Sequence, residues 1–318
     1  MTHQNQISHV NTESITVVSV YPVTLPAPKR IVDIQLRVSA PIKGEALPII
    51  LLSHGHGQSN YLSSLHGNLP LIDYWASHGF VVIQPTHLDS KTLNLDSNSP
   101  GFPLFWRSRV EDMKTIIDQL DYIEDLVPHI KGRLDRDRIA IAGLSLGGNT
   151  ASLLLGAQII NPEDKTITDL SEPRIKAGVL LSAPGNGKDL NEFAAKNFSF
   201  FTGISFTEMT TPTLVVWGDA DVPSHQSVRG ADWHADPYYL SNGSKSLLTL
   251  YGGGHLLGGI SGYDAAETTD ESPERVALIQ QLTTAYLRSV LYSEDSSWQE
   301  ASTAFMETAN AMGKIESK

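Results

Sequence analysis

The sequence has no cysteine, which excludes disulfides, thiolate metal sites and a cysteine nucleophile together. Basic residues are scarce: 23 Lys and Arg stand against 35 Asp and Glu, a formal charge of -12. Nucleic acid and anionic membrane surfaces would repel such a chain, so neither is expected as its main partner. No run of 18 apolar residues occurs, so no integral membrane segment is expected. The start, Met1-Thr2-His3-Gln4-Asn5-Gln6, lacks the basic and apolar stretches of a signal peptide. A cytoplasmic protein, or a mature secreted form with its signal removed, is the expectation. Nothing resembles a linker, so residues 1–318 are expected to form one domain, with 1–13 and 313–318 loose.

What is present is a succession of short β-branched runs bounded by turn residues. They predict eight strands, at residues 14–20, 31–38, 48–53, 80–85, 138–142, 177–182, 213–217 and 245–251. The first two alternate in polarity, as half-exposed antiparallel strands do. From Ile49-Ile50-Leu51-Leu52 onward the runs are nearly continuous, as buried parallel strands are. Helical spacing of apolar residues fills 69–78, 107–126 and 273–292. The pattern predicts an α/β fold, an eight-stranded mostly parallel sheet with helices on both faces. Active groups then collect at the C-terminal ends of the strands. Trp298, Ala301, Phe305, Ala309 and Met312 also follow helical spacing. They read as a short helix docked on the body, with a homodimer contact as the alternative.

The fifth run ends in Gly143-Leu144-Ser145-Leu146-Gly147 and continues as a buried helix. This is the G-x-S-x-G turn that lifts a nucleophilic serine off a strand end, with glycines where side chains would collide with neighbouring backbone. A serine needs a base to take its proton, and the base needs an acceptor to fix its tautomer. On a sheet of this kind acid and histidine follow the serine in that order. Gly218-Asp219-Ala220-Asp221 offers two carboxylates after the seventh strand. Asp221 is preferred because the turn carries it around the strand tip, where Asp219 would brace the turn. Gly252-Gly253-Gly254-His255 supplies the histidine after the eighth strand, whereas His225 and His234 lie in the segment following Asp221.

The third strand ends in Ser53-His54-Gly55-His56-Gly57-Gln58. Its backbone can aim an amide at a developing oxyanion, so the amides of His56 and Leu146 are the expected pair, with Gly57 and Gln58 as neighbours able to serve. The competing reading of His54-x-His56 is a metal pair, but Gly57-Gln58-Ser59-Asn60 supplies no further ligand. No metal and no cofactor are expected.

With these elements the chain resembles a serine hydrolase of the α/β-hydrolase fold over about residues 14 to 292. It is similar in particular to the branch that holds platelet-activating-factor acetylhydrolases, chlorophyllases and predicted dienelactone hydrolases. The segments carrying this are Leu51-Leu52-Ser53-His54-Gly55-His56-Gly57, Ala76-Ser77-His78-Gly79-Phe80-Val81-Val82, and the 109–120 helix leading to Lys131-Gly132-Arg133-Leu134-Asp135. The resemblance implies cleavage of a small-molecule carboxylic ester without metal or cofactor. Two departures stand out: the cysteine nucleophile of dienelactone hydrolases is absent, and Leu144 occupies the place where many relatives carry histidine.

Residues 185–211, where this fold commonly carries a cap, hold Phe193, Phe198, Phe200, Phe201 and Phe206, enough to line an apolar pocket or simply to pack a core. The 88–106 loop and the 256–263 turn are further candidates for pocket walls. Arg107 and Arg109 read as structural, paired with Glu111 and Asp112, in preference to an anion site. Two alternatives to ester cleavage remain open: amide or peptide hydrolysis by the same residues, and a non-catalytic binding module.

Overall fold

The computed structural model describes residues 14–263, 265–308 and 311–318. Five strands lead to the candidate serine: β1 (Val17–Leu25), β2 (Ile34–Pro41), β3 (Leu47–Ser53), β4 (Val81–Pro85) and β5 (Leu134–Leu144). Seven follow: β6 (Gln158–Ile160), β7 (Ile167–Asp169), β8 (Ile175–Leu181), β9 (Ile204–Ser205), β10 (Thr213–Gly218), β11 (Lys245–Leu250) and β12 (Gly313–Ser317). The helices are α1 (Leu69–Ser77), α2 (Trp106–Asp118), α3 (Leu120–Leu126), α4 (Leu146–Leu154), α5 (Glu192–Asn197), α6 (Asp236–Tyr239), α7 (Pro273–Leu291) and α8 (Ser297–Glu307).

The main sheet has nine strands in the order β1-β2-β4-β3-β5-β8-β10-β11-β12. The six from β4 to β11 are parallel, while β1, β2 and β12 pair antiparallel at the edges. All eight expected strands are present, but the count of eight is corrected to nine. Residues 313–318, expected to be loose, contribute β12, which pairs with β11 from Ser246↔Ser317 to Leu250↔Gly313. The expectation failed because Gly313-Lys314-Ile315-Glu316-Ser317 is short and mostly polar, the composition of an edge strand half open to water. A separate small sheet, β7-β6-β9, was not foreseen. The expected helix over 107–126 is broken at Gln119 into α2 and α3. Segment 1–13, expected to be loose, and Ala309 of the last stripe lie outside the described residues.

The continuous apolar runs reflect burial of both sheet faces. Ile49 and Leu51 of β3 join a cluster with Val110, Met113 and Ile116 of α2. Ile50 and Leu52 join one with Ile72 and Trp75 of α1 and Ile279 and Leu282 of α7. Helix α8 docks on α7 through buried Phe305 and an edge contact of Trp298 with Tyr286 at 5.2 Å. Among the described residues no helix is long and apolar enough to cross a membrane. The chain leaves β3 for β4 on one side and β5 for β8 on the other, so the switch point of the sheet lies between β3 and β5, where open α/β sheets place ligands.

Candidate active site

Ser145 occupies the sharp bend between β5 and α4, at φ 53° and ψ -118°. A side chain on Gly143 would meet the Gly147 carbonyl oxygen at 2.1 Å, and one on Gly147 the Ser53 carbonyl oxygen at 2.0 Å. Both contacts are with backbone, so glycine is required at each position. The Ser145 amide donates to the Leu181 carbonyl at 2.8 Å, fixing the bend to the end of β8.

His255 Nε2 lies 2.9 Å from Ser145 Oγ, and His255 Nδ1 lies 2.8 Å from Asp221 Oδ2. Serine, histidine and aspartate thus form one hydrogen-bonded chain from the ends of β5, β11 and β10. A carboxylate only accepts, so Nδ1 carries the proton and Nε2 is left to receive the one on Ser145. Burial alone would raise the Asp221 pKa; the His255 hydrogen bond, with the charges of His255 and His234, outweighs it and holds the carboxyl below its ordinary value. Asp219 has the bracing role: its Oδ1 accepts the Gly252 amide at 2.7 Å, pinning the turn that delivers His255. Asp270, not singled out in the sequence, accepts the amides of Gly254 at 2.7 Å and Gly258 at 3.0 Å from the other side of that histidine.

His234 does not follow a strand end, so the sequence does not point to it, yet its Nε2 lies 3.1 Å from Asp221 Oδ2. Its Nδ1 sits 2.8 Å from the Ala183 carbonyl, and burial lowers its pKa. Asp221, His234 and His255 bring ligand atoms within 4.8 Å of one another. A cation held there would displace the Asp221–His255 hydrogen bond. The pair His54-x-His56 offers no such set, since both ring nitrogens of His54 are engaged, Nδ1 with the Gly55 carbonyl and Nε2 with the His87 amide.

His56, Leu146 and Ser145 line one cavity of about 90 Å³. Leu146 is the first residue of α4, where helical amides lack an internal acceptor. Among the described residues the amides of Leu146 and His56 donate to no protein acceptor. Segment 185–211 contributes Leu190, Ala194, Phe198 and Phe201 to the wall, and the 88–106 loop contributes Leu104. The other phenylalanines pack elsewhere: Phe200 stacks on Trp106 at 4.8 Å, Phe206 is in the core, and Phe193 is exposed. Among the described residues none of the 256–263 turn lines the cavity.

Beneath the loop after β3 lies a buried polar brace. Arg109, fully buried on α2, donates to Asp89 and to the His54 carbonyl, to Ser53 Oγ at 3.2 Å and to Thr150 Oγ1 of α4 at 3.0 Å. One guanidinium thus ties the His56 loop to the helix that begins at Leu146. The expected pairing of Arg109 with Glu111 or Asp112 is corrected: its partner is Asp89, while Asp112 pairs with Arg30 at 2.9 Å and His87 at 2.8 Å. Residues 111 and 112 lie on α2 beside Arg109, but a buried guanidinium takes the acceptors its own side meets. Burial would raise Asp89; Arg109 and the His56 hydrogen bond hold it down at about 2. Asp112, where burial outweighs Arg30, is pushed up to about 7. Such pairs contribute little net stability, and what they fix is position.

No family model matches the chain, and no curated protein matches it in sequence. The chemistry must be read from the site itself.

Proposed function

We propose that the protein is a serine hydrolase of the α/β-hydrolase fold that cleaves carboxylic esters through an acyl-enzyme. The observation that carries this reading is the continuous Ser145–His255–Asp221 hydrogen-bonded chain at the wall of an apolar cavity. Ser145 Oγ attacks the ester carbonyl while His255 Nε2 takes its proton, and Asp221 stabilises the imidazolium that forms. The amides of His56 and Leu146 receive the oxyanion. His255 returns the proton to the departing alcohol, leaving the acyl group on Ser145. It then deprotonates a water that attacks the acyl carbon, and the acid leaves with the serine restored. The resemblance to the acetylhydrolase and chlorophyllase branch belongs to the same proposal.

The test is fluorophosphonate treatment followed by intact-mass measurement and peptide mapping, with turnover of p-nitrophenyl esters in parallel. One adduct on Ser145 is expected. Ser145→Ala should abolish labelling and lower turnover by roughly a thousandfold or more with the urea midpoint little reduced. Folded protein that takes no adduct and turns over no ester would make this a binding module.

A further inference from the structure

His56, in the wall of the cavity, is a second histidine oriented by a carboxylate. His56 Nδ1 lies 3.0 Å from Asp89 Oδ2, and the other Asp89 oxygen is taken by Arg109. Asp89 and Arg109 are both fully withdrawn from solvent, whereas the His56 side chain is 26% exposed and lines the cavity beside Ser145. An ionised carboxylate can only accept, so the proton of the neutral ring sits on Nδ1 and Nε2 is a bare acceptor. Among the described residues no protein group bonds that Nε2. Apart from Ser145, the Gln226 side chain and the amides of His56 and Leu146, the wall is formed by apolar and aromatic side chains.

A substrate that fills this cavity expels water from His56 Nε2 and must replace the lost hydrogen bond or bind less well. We propose that His56 Nε2 is a specificity-determining acceptor, and that the site prefers esters whose short acyl group carries a hydroxyl able to donate to it. The inference rests on the Ser145 reading above. A neutral donor is favoured over an ammonium, since both Asp89 oxygens are occupied and the wall offers no free carboxylate. Size points the same way. At about 90 Å³ the cavity is small, which suits a short acyl group.

The experiment compares ethyl lactate with ethyl isobutyrate, and ethyl 3-hydroxybutyrate with ethyl isovalerate, at pH 8. Each pair exchanges hydroxyl for methyl, and each kcat/KM ratio is divided by the ratio for hydroxide-catalysed hydrolysis. The wild-type protein should favour the hydroxy ester by about tenfold in at least one pair. His56→Phe keeps the backbone amide and removes the acceptor, so the ratio should fall close to one. A wild-type ratio near one in both pairs, or a ratio that His56→Phe leaves unchanged, overturns the proposal. Should His56→Phe not fold, His56→Leu replaces it as the variant without the acceptor. Ser145 labelling with a ratio near one removes only this inference; absence of both labelling and turnover removes the hydrolase reading with it.

Discussion

His54 has both ring nitrogens committed in a buried position: Nδ1 lies 2.7 Å from the Gly55 carbonyl and Nε2 is 3.0 Å from the His87 amide nitrogen. Only the neutral ring protonated on Nδ1 satisfies both partners. Burial, reinforced by the charge of Arg109, lowers its pKa to about 4 despite the opposing pull of Asp89. The unfolded chain therefore takes up a proton near pH 6.5 that the folded one refuses, and stability is lost as pH falls from there toward 4. His87, also lowered by burial, acts in the same direction. Asp112, raised to about 7, holds a proton in the folded state that the unfolded chain releases above about pH 4, and it offsets one of the two histidines. His234, lowered by burial as well, adds a third such histidine, so the balance stays on the side of proton uptake by the unfolded chain and the protein should be less stable at pH 5 than at pH 6.5 by about 1 kcal/mol or more. Urea titrations at the two values check the sum, and NMR of the His54 ring checks the cause. A ring that titrates near 6.5 would contradict it.

The unit formed by β5, the bend at Ser145 and α4 is where local sequence and structure agree best. Sterics explain why: the approach of the Gly147 Cα to the Ser53 carbonyl leaves no choice of residue, so the demand is written at a fixed offset in the chain. Gly147→Ala should force α4 away from the end of β3, separating the amides of His56 and Leu146 proposed to share the oxyanion. Overpacking of this kind costs about 1–3 kcal/mol. The fluorophosphonate labelling rate of the protein that remains folded should fall as well, which urea titration and timed labelling together would show. The same logic explains what the sequence left unread. His234 and Asp221 are 13 residues apart with no periodic relation, as are Asp89 and His56 at 33, and their meeting depends on the completed sheet. Ser145, His255 and Asp221, which one hydrogen-bonded chain joins, each follow a strand recognisable from its own composition, as do the proposed amide donors of His56 and Leu146. Strands β6, β7 and β9 are too short to carry a pattern.

At the scale of the whole molecule, β12 covers the flank of β11 that an eight-stranded sheet would leave open. Lys245 and Lys318 exchange both amide bonds, at 3.1 and 2.9 Å. Antiparallel alternation then makes Glu316 and Leu247 another bonded pair. Glu316→Pro removes an amide from it and should cost about 1 kcal/mol. It should also bare a buried apolar strand to a second copy, so light scattering ought to show concentration-dependent association that the parent lacks. Stability looks different at the other end of the site. A φ of 53° with a ψ of -118° costs a serine roughly 1–3 kcal/mol and a glycine far less, so the molecule would hold together better with glycine at position 145. Under the proposed function, selection for chemistry keeps the serine there, against a standing pull toward its loss. A descendant released from that selection would shed Ser145 early and keep Gly143 and Gly147, which the backbone demands for its own reasons. The order in which these three positions erode among drifting lineages would date the abandonment of the proposed activity.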